Sequence, residues 1–152
     1  ANIDEIPYFK ALGPEPLEKN FTVAWLKQEL KQRKTLIKPL LLNHTFIAGI
    51  GNIYACEILF ASRIDPRRSA VSLRENEVAL LYRVTRKILN DAIRFRGTSM
   101  NTYRDAAGKK GKFKDRIKVY GREKEQCLFC TTALVREFQA GRSTFYCQEC
   151  QK

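Results

Sequence analysis

The chain has 152 residues, the length of one ordinary domain or two small ones. It is 44% hydrophobic and carries 28 Lys/Arg against 16 Asp/Glu, a net charge of +12. These values exclude a charged disordered tail and favour a folded protein that meets a polyanion, with nucleic acid first among them. No run of about 18 apolar residues is present, so no membrane-spanning helix is predicted. The opening stretch ANIDEIPYFKALGPEP lacks the basic start and apolar run of a secretory signal. With five cysteines, an odd number, the expected setting is the cytoplasm, with reduced thiols.

Residues 1–20 contain Pro7, Gly13, Pro14 and Pro16 and read as a linker. Thr22 is a fitting N-cap for a first helix, because its hydroxyl can accept an orphan backbone N–H. Val23, Leu26 and Leu30 then recur at helical spacing, and polar residues continue the pattern to Lys34. A short second helix is predicted over 37–42, with Pro39 in its first turn, where no N–H is needed. Asn43, His44 and Thr45 interrupt the pattern. His44 is the only histidine and reads as a polar turn residue, with a ligand or catalytic role as the alternative. The AGIGN stretch, 48–52, permits tight turns before a third helix over 52–61. Cys56 falls within that helix and is expected to behave as a small buried hydrophobe.

The clearest helix is predicted over 72–96. Ser72 and Glu75 have capping-box spacing, and Val78, Leu81, Tyr82, Thr85, Ile88, Leu89, Ala92 and Ile93 form one stripe. Gly97 is the candidate C-terminal cap. Residues 97–118 mix Gly97, Gly108 and Gly111 with Lys109, Lys110, Lys112 and Lys114 and read as a long basic loop. Residues 117–120 have the composition of a short strand. Between Arg83 and Lys124 there are 14 Lys/Arg against 4 Asp/Glu, so this stretch holds nearly all the excess charge. Tyr103, Phe113 and Tyr120 are interleaved with it. That pattern favours nucleic acid, with a solvated face or an acidic membrane surface as alternatives.

Cys127-x-x-Cys130 and Cys147-x-x-Cys150 have the spacing of a four-thiolate metal site. The intervening residues should fold back as strands over 133–138 and 143–147 around a turn at 139–142. Four cysteines fill a zinc ion's tetrahedron, so the predicted metal is one structural Zn and not a catalytic one. Two disulfides are the alternative and suit a cytoplasmic chain poorly.

Three motifs occur in one order: IKPLLLNHTFIAGIGNIYACEILF (37–60), RGTSMNTYRDAAGKKGKFKDRIKVYGR (96–122) and the terminal CLFC…RSTFYCQECQK. Together they resemble the C-terminal half of bacterial formamidopyrimidine-DNA glycosylase, over about Thr22 to Lys152. The resemblance implies a mainly α fold, with a helix-two-turns-helix domain over 21–122 followed by a zinc-finger β-hairpin over 123–152. It implies that Lys38, Asn52 and Arg142 contact phosphates around a lesion. The bland readings of these three are surface charge and, for Asn52, a helix cap. It also implies that 97–118 closes over an everted oxidised purine through Gly97, Thr98, Ser99, Met100, Asn101 and Tyr103, since glycosylases must flip their target base. Asn101 departs from the family pattern, where many members carry a basic residue.

Family catalysis resembles Schiff-base chemistry by an N-terminal proline with an adjacent glutamate. The chain begins Ala1-Asn2-Ile3, so no catalytic residue is assigned here. The expectation is the DNA-binding part of a bacterial glycosylase and abasic-site lyase. This part would be inactive alone, monomeric, and partnered with double-stranded DNA holding an oxidised base or abasic site. A related endonuclease-eight-type glycosylase for oxidised pyrimidines, or a non-enzymatic zinc-ribbon module, is the alternative.

Overall fold

The computed structural model describes residues 11–95 and 115–152. Among these, four helices precede a two-stranded antiparallel hairpin, so the chain is mainly α. Helix α1 spans Val23–Leu30, and Thr22 caps it by accepting the Trp25 N–H at 3.0 Å. It stops short of the predicted Lys34. The backbone beyond it turns outward, where Arg33 and Thr35 carbonyls accept the N–H groups of Val71 and Ala70 at 2.9 and 2.8 Å. The helical ladder itself ends where the Gln32 and Arg33 amides donate only three residues back, to the Glu29 and Leu30 carbonyls, both at 3.2 Å.

Helix α2, Ile37–Leu41, has no side-chain cap. Its Ile37 N–H instead donates to the Arg68 carbonyl at 2.8 Å, which satisfies one of the donors that a helix start leaves open. Helix α3, Asn52–Ala61, buries six consecutive residues from Ala55 to Phe60. A helix apolar on every side belongs at the centre of a fold, and α3 packs against α2, the following long helix and the hairpin.

A 3-10 turn at Ala70–Ser72 leads to α4, Glu75–Arg94. The predicted Ser72–Glu75 capping box does not form. Ser72 Oγ donates instead to the Ser69 carbonyl at 2.7 Å, and the helix begins after Arg74. Glu77 takes the capping role, accepting the Arg74 N–H at 3.0 Å and bonding the Arg68 guanidinium. Val78, Leu81, Thr85, Leu89 and Ala92 face inward as the stripe requires, whereas Ile93 is exposed. The expected cap at Gly97 lies outside the described residues.

The first apolar cluster joins Leu26, Leu30, Leu41, Ile58 and Leu81 with Phe21, which stacks on Tyr82 at 5.2 Å. The described end of the expected linker docks onto it. Gly13 donates to the His44 carbonyl at 2.9 Å, Pro16 is buried and Leu17 packs on the core. A Cβ at Gly13 would lie 2.1 Å from the Phe46 carbonyl oxygen, so only glycine fits there. His44 is an exposed turn residue.

Strands β1, Val135–Gln139, and β2, Arg142–Tyr146, pair from Val135–Tyr146 to Gln139–Arg142. Ala140 (φ 50°) and Gly141 (φ 77°) make the two-residue turn between them, the left-handed pair that suits the twist of a tight hairpin. A second apolar cluster, of Cys56, Phe60, Val119, Cys127, Leu134, Phe145 and Cys147, fixes this unit to α3. Cys56 is buried there as expected, 1% exposed.

Residues 117–120 are a bend and turn, contrary to the predicted strand. Their amides find no ladder. Those of Lys118, Val119 and Tyr120 all donate to the Glu57 carboxylate, at 2.7, 2.9 and 2.9 Å.

Candidate nucleic-acid interface and metal centre

Three elements meet at the start of α3. Lys38 sits on α2, Asn52 is the first residue of α3, and Arg142 opens β2. Lys38 is fully buried, and its Nζ donates to Asn52 Oδ1 at 2.6 Å and to the Ser143 carbonyl at 3.2 Å. Asn52 Nδ2 donates to the same carbonyl at 3.0 Å. The family resemblance named Lys38, Asn52 and Arg142 as phosphate contacts. The fold joins the first two directly and places Arg142 beside the carbonyl they share. Lys38 lies beneath this surface and not on it. Asn52 is not the cap, since Gly51 holds that position with extended backbone.

The electrostatics follow from the burial. Loss of water around the Lys38 ammonium pushes its pKa below the ordinary lysine value; Cys56 opposes that shift and Arg142 adds to it. A buried cation therefore underlies an exposed arginine, at the positive end of a helix whose first-turn amides lack intrahelical acceptors. Such a surface is suited to phosphate oxygens.

Glu57 went unnoticed in the sequence, although a lone acid inside the apolar run NIYACEILFA was a usable signal. It is 4% exposed. Burial pushes its carboxyl pKa up, against the pull of the three backbone donors. Its bonds tie Lys118, Val119 and Tyr120 to the helix that carries Asn52. The expected loop residues Gly97, Thr98, Ser99, Met100, Asn101 and Tyr103 lie outside the described residues. An apolar groove of about 430 Å³ opens between Pro16, Leu17, Gly49, Leu89 and Ile93, next to the end of α4.

The four predicted cysteines converge. Their sulfurs all lie within 4.8 Å of one another, with Cys127–Cys150 at 3.8 Å and Cys130–Cys147 at 3.4 Å. Zinc–sulfur bonds of about 2.3 Å in a tetrahedron place sulfurs ~3.8 Å apart, so the donor set fits a four-thiolate ion. None of the four is in a disulfide. The amides of Phe129 and Cys150 donate to Cys127 and Cys147 Sγ, both at 3.4 Å, which favours thiolates. Gln151 then fastens the cluster to the helical body, accepting from the Cys147 N–H at 2.8 Å and donating to the Ile64 carbonyl at 2.9 Å.

Comparison with known proteins agrees with this architecture. Residues 12–104 match the family model described as the formamidopyrimidine-DNA glycosylase H2TH domain. The chain is 49% identical over 141 residues to the formamidopyrimidine-DNA glycosylase of Carboxydothermus hydrogenoformans, covering 93% of this chain and 54% of that protein. The solved MutM (Fpg) protein of Thermus thermophilus superposes with a TM-score of 0.90 at 42% identity, covering 97% of this chain and 56% of that one. Lactococcus lactis Fpg, solved in complex with abasic-site DNA, gives 0.89 at 36% identity, covering 98% and 55% respectively. The chain thus spans about half the length of the relatives it matches. With its helix-two-turns-helix body and four-cysteine hairpin, it belongs to the formamidopyrimidine-DNA glycosylase family.

Proposed function

We propose that this chain is the DNA-gripping part of a bacterial base-excision-repair glycosylase and abasic-site lyase for oxidised purines. The observation that carries this is the Lys38–Asn52–Ser143 network, which locks α2, the start of α3 and the hairpin into one phosphate-facing edge. Asn52 and Arg142 take the phosphate oxygens, and Lys38 holds Asn52 and the Ser143 carbonyl from beneath and adds positive charge. Zinc is the ion for the four cysteines and has a structural role. The family resemblance assigns closure over the flipped base to residues 97–118. The family relationship supports this reading, as do the solved relatives whose DNA holds an abasic site or Fapy-dG.

The partner is double-stranded DNA with a damaged or missing base, bound by a monomer in the bacterial cytoplasm. Among the described residues no helix is long and apolar enough to cross a membrane. Cleavage belongs to the parent protein, and this chain alone binds without turning over.

The test is duplex binding across a salt series. Arg142→Ala should weaken affinity for an abasic-site duplex and flatten the slope of log K against log salt by about one unit. An unaltered slope would remove Arg142 from the phosphate contacts.

A further inference from the structure

Phe138 is the most exposed large apolar side chain among the described residues, at 71%. Its surroundings are ordered. The Arg136 guanidinium lies 5.0 Å from the Phe138 ring centroid and 6.0 Å from that of Phe145. Arg136 is itself fixed, because its Nε and Nη2 donate to Ser143 Oγ at 3.1 and 2.9 Å. The register pairs Arg136 with Phe145 and Phe138 with Ser143, so the four share one face of the hairpin. Phe145 anchors that face by packing edge-on to Tyr120 at 4.8 Å. Phe138 is its open end.

The position is what gives the exposed ring meaning. Ser143 is the residue whose carbonyl accepts from both Lys38 and Asn52. Phe138 lies directly across from it, one strand spacing of about 4.8 Å away. The four residues of this face include one cation and no acid, while Glu137 turns to the other face and accepts from Tyr146 Oη. An aromatic ring held by a cation next to a phosphate grip has the chemistry of a stacking contact. The cation follows the backbone, and the ring takes the apolar face of the deoxyribose, and of a base that a missing neighbour leaves unstacked, whatever the sequence.

We propose that Phe138, oriented by Arg136, is a further DNA-contact residue whose ring packs on the deoxyribose and base beside the phosphate held by Asn52 and Arg142. This rests on the DNA-binding reading above and adds an apolar, salt-insensitive component to it. Because the ring reads no hydrogen-bonding edge, its contribution is independent of sequence.

The experiment measures binding of the full 152-residue chain to a duplex holding a tetrahydrofuran abasic-site analogue, by fluorescence anisotropy over a salt series. Phe138→Ala should weaken binding about tenfold with an unchanged salt slope. Phe138→Trp should bind as the parent does. Zinc content and circular dichroism, unchanged because the side chain is exposed, confirm that both variants fold. Parent-like binding by Phe138→Ala, or a flattened slope, overturns the proposal. So does a parent dimer in sedimentation that Phe138→Ala dissociates, which would assign the face to a second copy. If Arg142→Ala alone weakens binding, this inference falls and the DNA reading stands. If neither variant weakens it, the DNA reading falls as well.

Discussion

The helical body and the hairpin unit hold one surface together by different means. The body buries a continuous set of large side chains, Phe21, Leu26, Leu41, Ile58 and Leu81 among them. At roughly 2 kcal/mol per buried side chain, such a core sustains itself. The hairpin unit has a smaller set, Val119, Leu134, Phe145 and Tyr146 besides its cysteines, and it borrows Cys56 and Phe60 from α3. A unit of that size needs a metal and a neighbour. The two regions therefore differ in what can break them, yet both must be intact for Asn52 and Arg142 to stand together.

Metal removal should separate the two most sharply. A strong chelator is expected to release residues 127–150 while α1 to α4 keep their helical signal, at a cost of several kcal/mol to the hairpin. Amide spectra check this, and unchanged hairpin resonances after zinc loss would refute a structural metal. A smaller effect is expected where the regions are stitched together. Glu57→Gln leaves one acceptor oxygen and turns an NH₂ toward backbone donors, which should cost about 3 kcal/mol. Loss of amide protection at Lys118, Val119 and Tyr120 would accompany it, whereas retained protection would show that the carboxylate does not hold them.

The smallest effect belongs to the body alone. The Arg68 guanidinium, ahead of the other partners of Glu77, holds its carboxyl pKa down at about 2. A depressed folded value means that its stabilisation is present above the ordinary value of 4.5 and is lost as pH falls toward 2. Glu77→Gln should therefore lower stability by about 2 kcal/mol at pH 7 and by much less at pH 3. Urea unfolding at the two pH values measures the difference, and a gap that does not shrink would exclude the ion pair as its source.

Much of this design was legible beforehand because it is written at short range. The Thr22 cap, the α4 stripe from Val78 to Ala92 and the C-x-x-C pairs all depend on neighbours a few residues away. The errors arose where distant partners intervened. The chain past α1 leaves the helical path to pair Arg33 and Thr35 with 70–71, and α4 starts after Arg74, not at Ser72, because Glu77 caps it while also serving Arg68. Residues 117–120 are not a strand because a helix side chain, and no neighbouring strand, accepts their amides.

The sequence by itself determined the four helices and the hairpin, the four-cysteine set and, through its ordered motifs, the family. Spacing and local propensity suffice for those. Only the tertiary structure decided that Lys38 is buried beneath Asn52, that Glu57 gathers three amides, and that Phe138 stands open beside Ser143. The physical reason is separation along the chain. Lys38 and Ser143 lie 105 residues apart, and Glu57 and Val119 lie 62 apart. Such partners meet only after helix packing and hairpin docking bring them together, so no local pattern encodes the pairing.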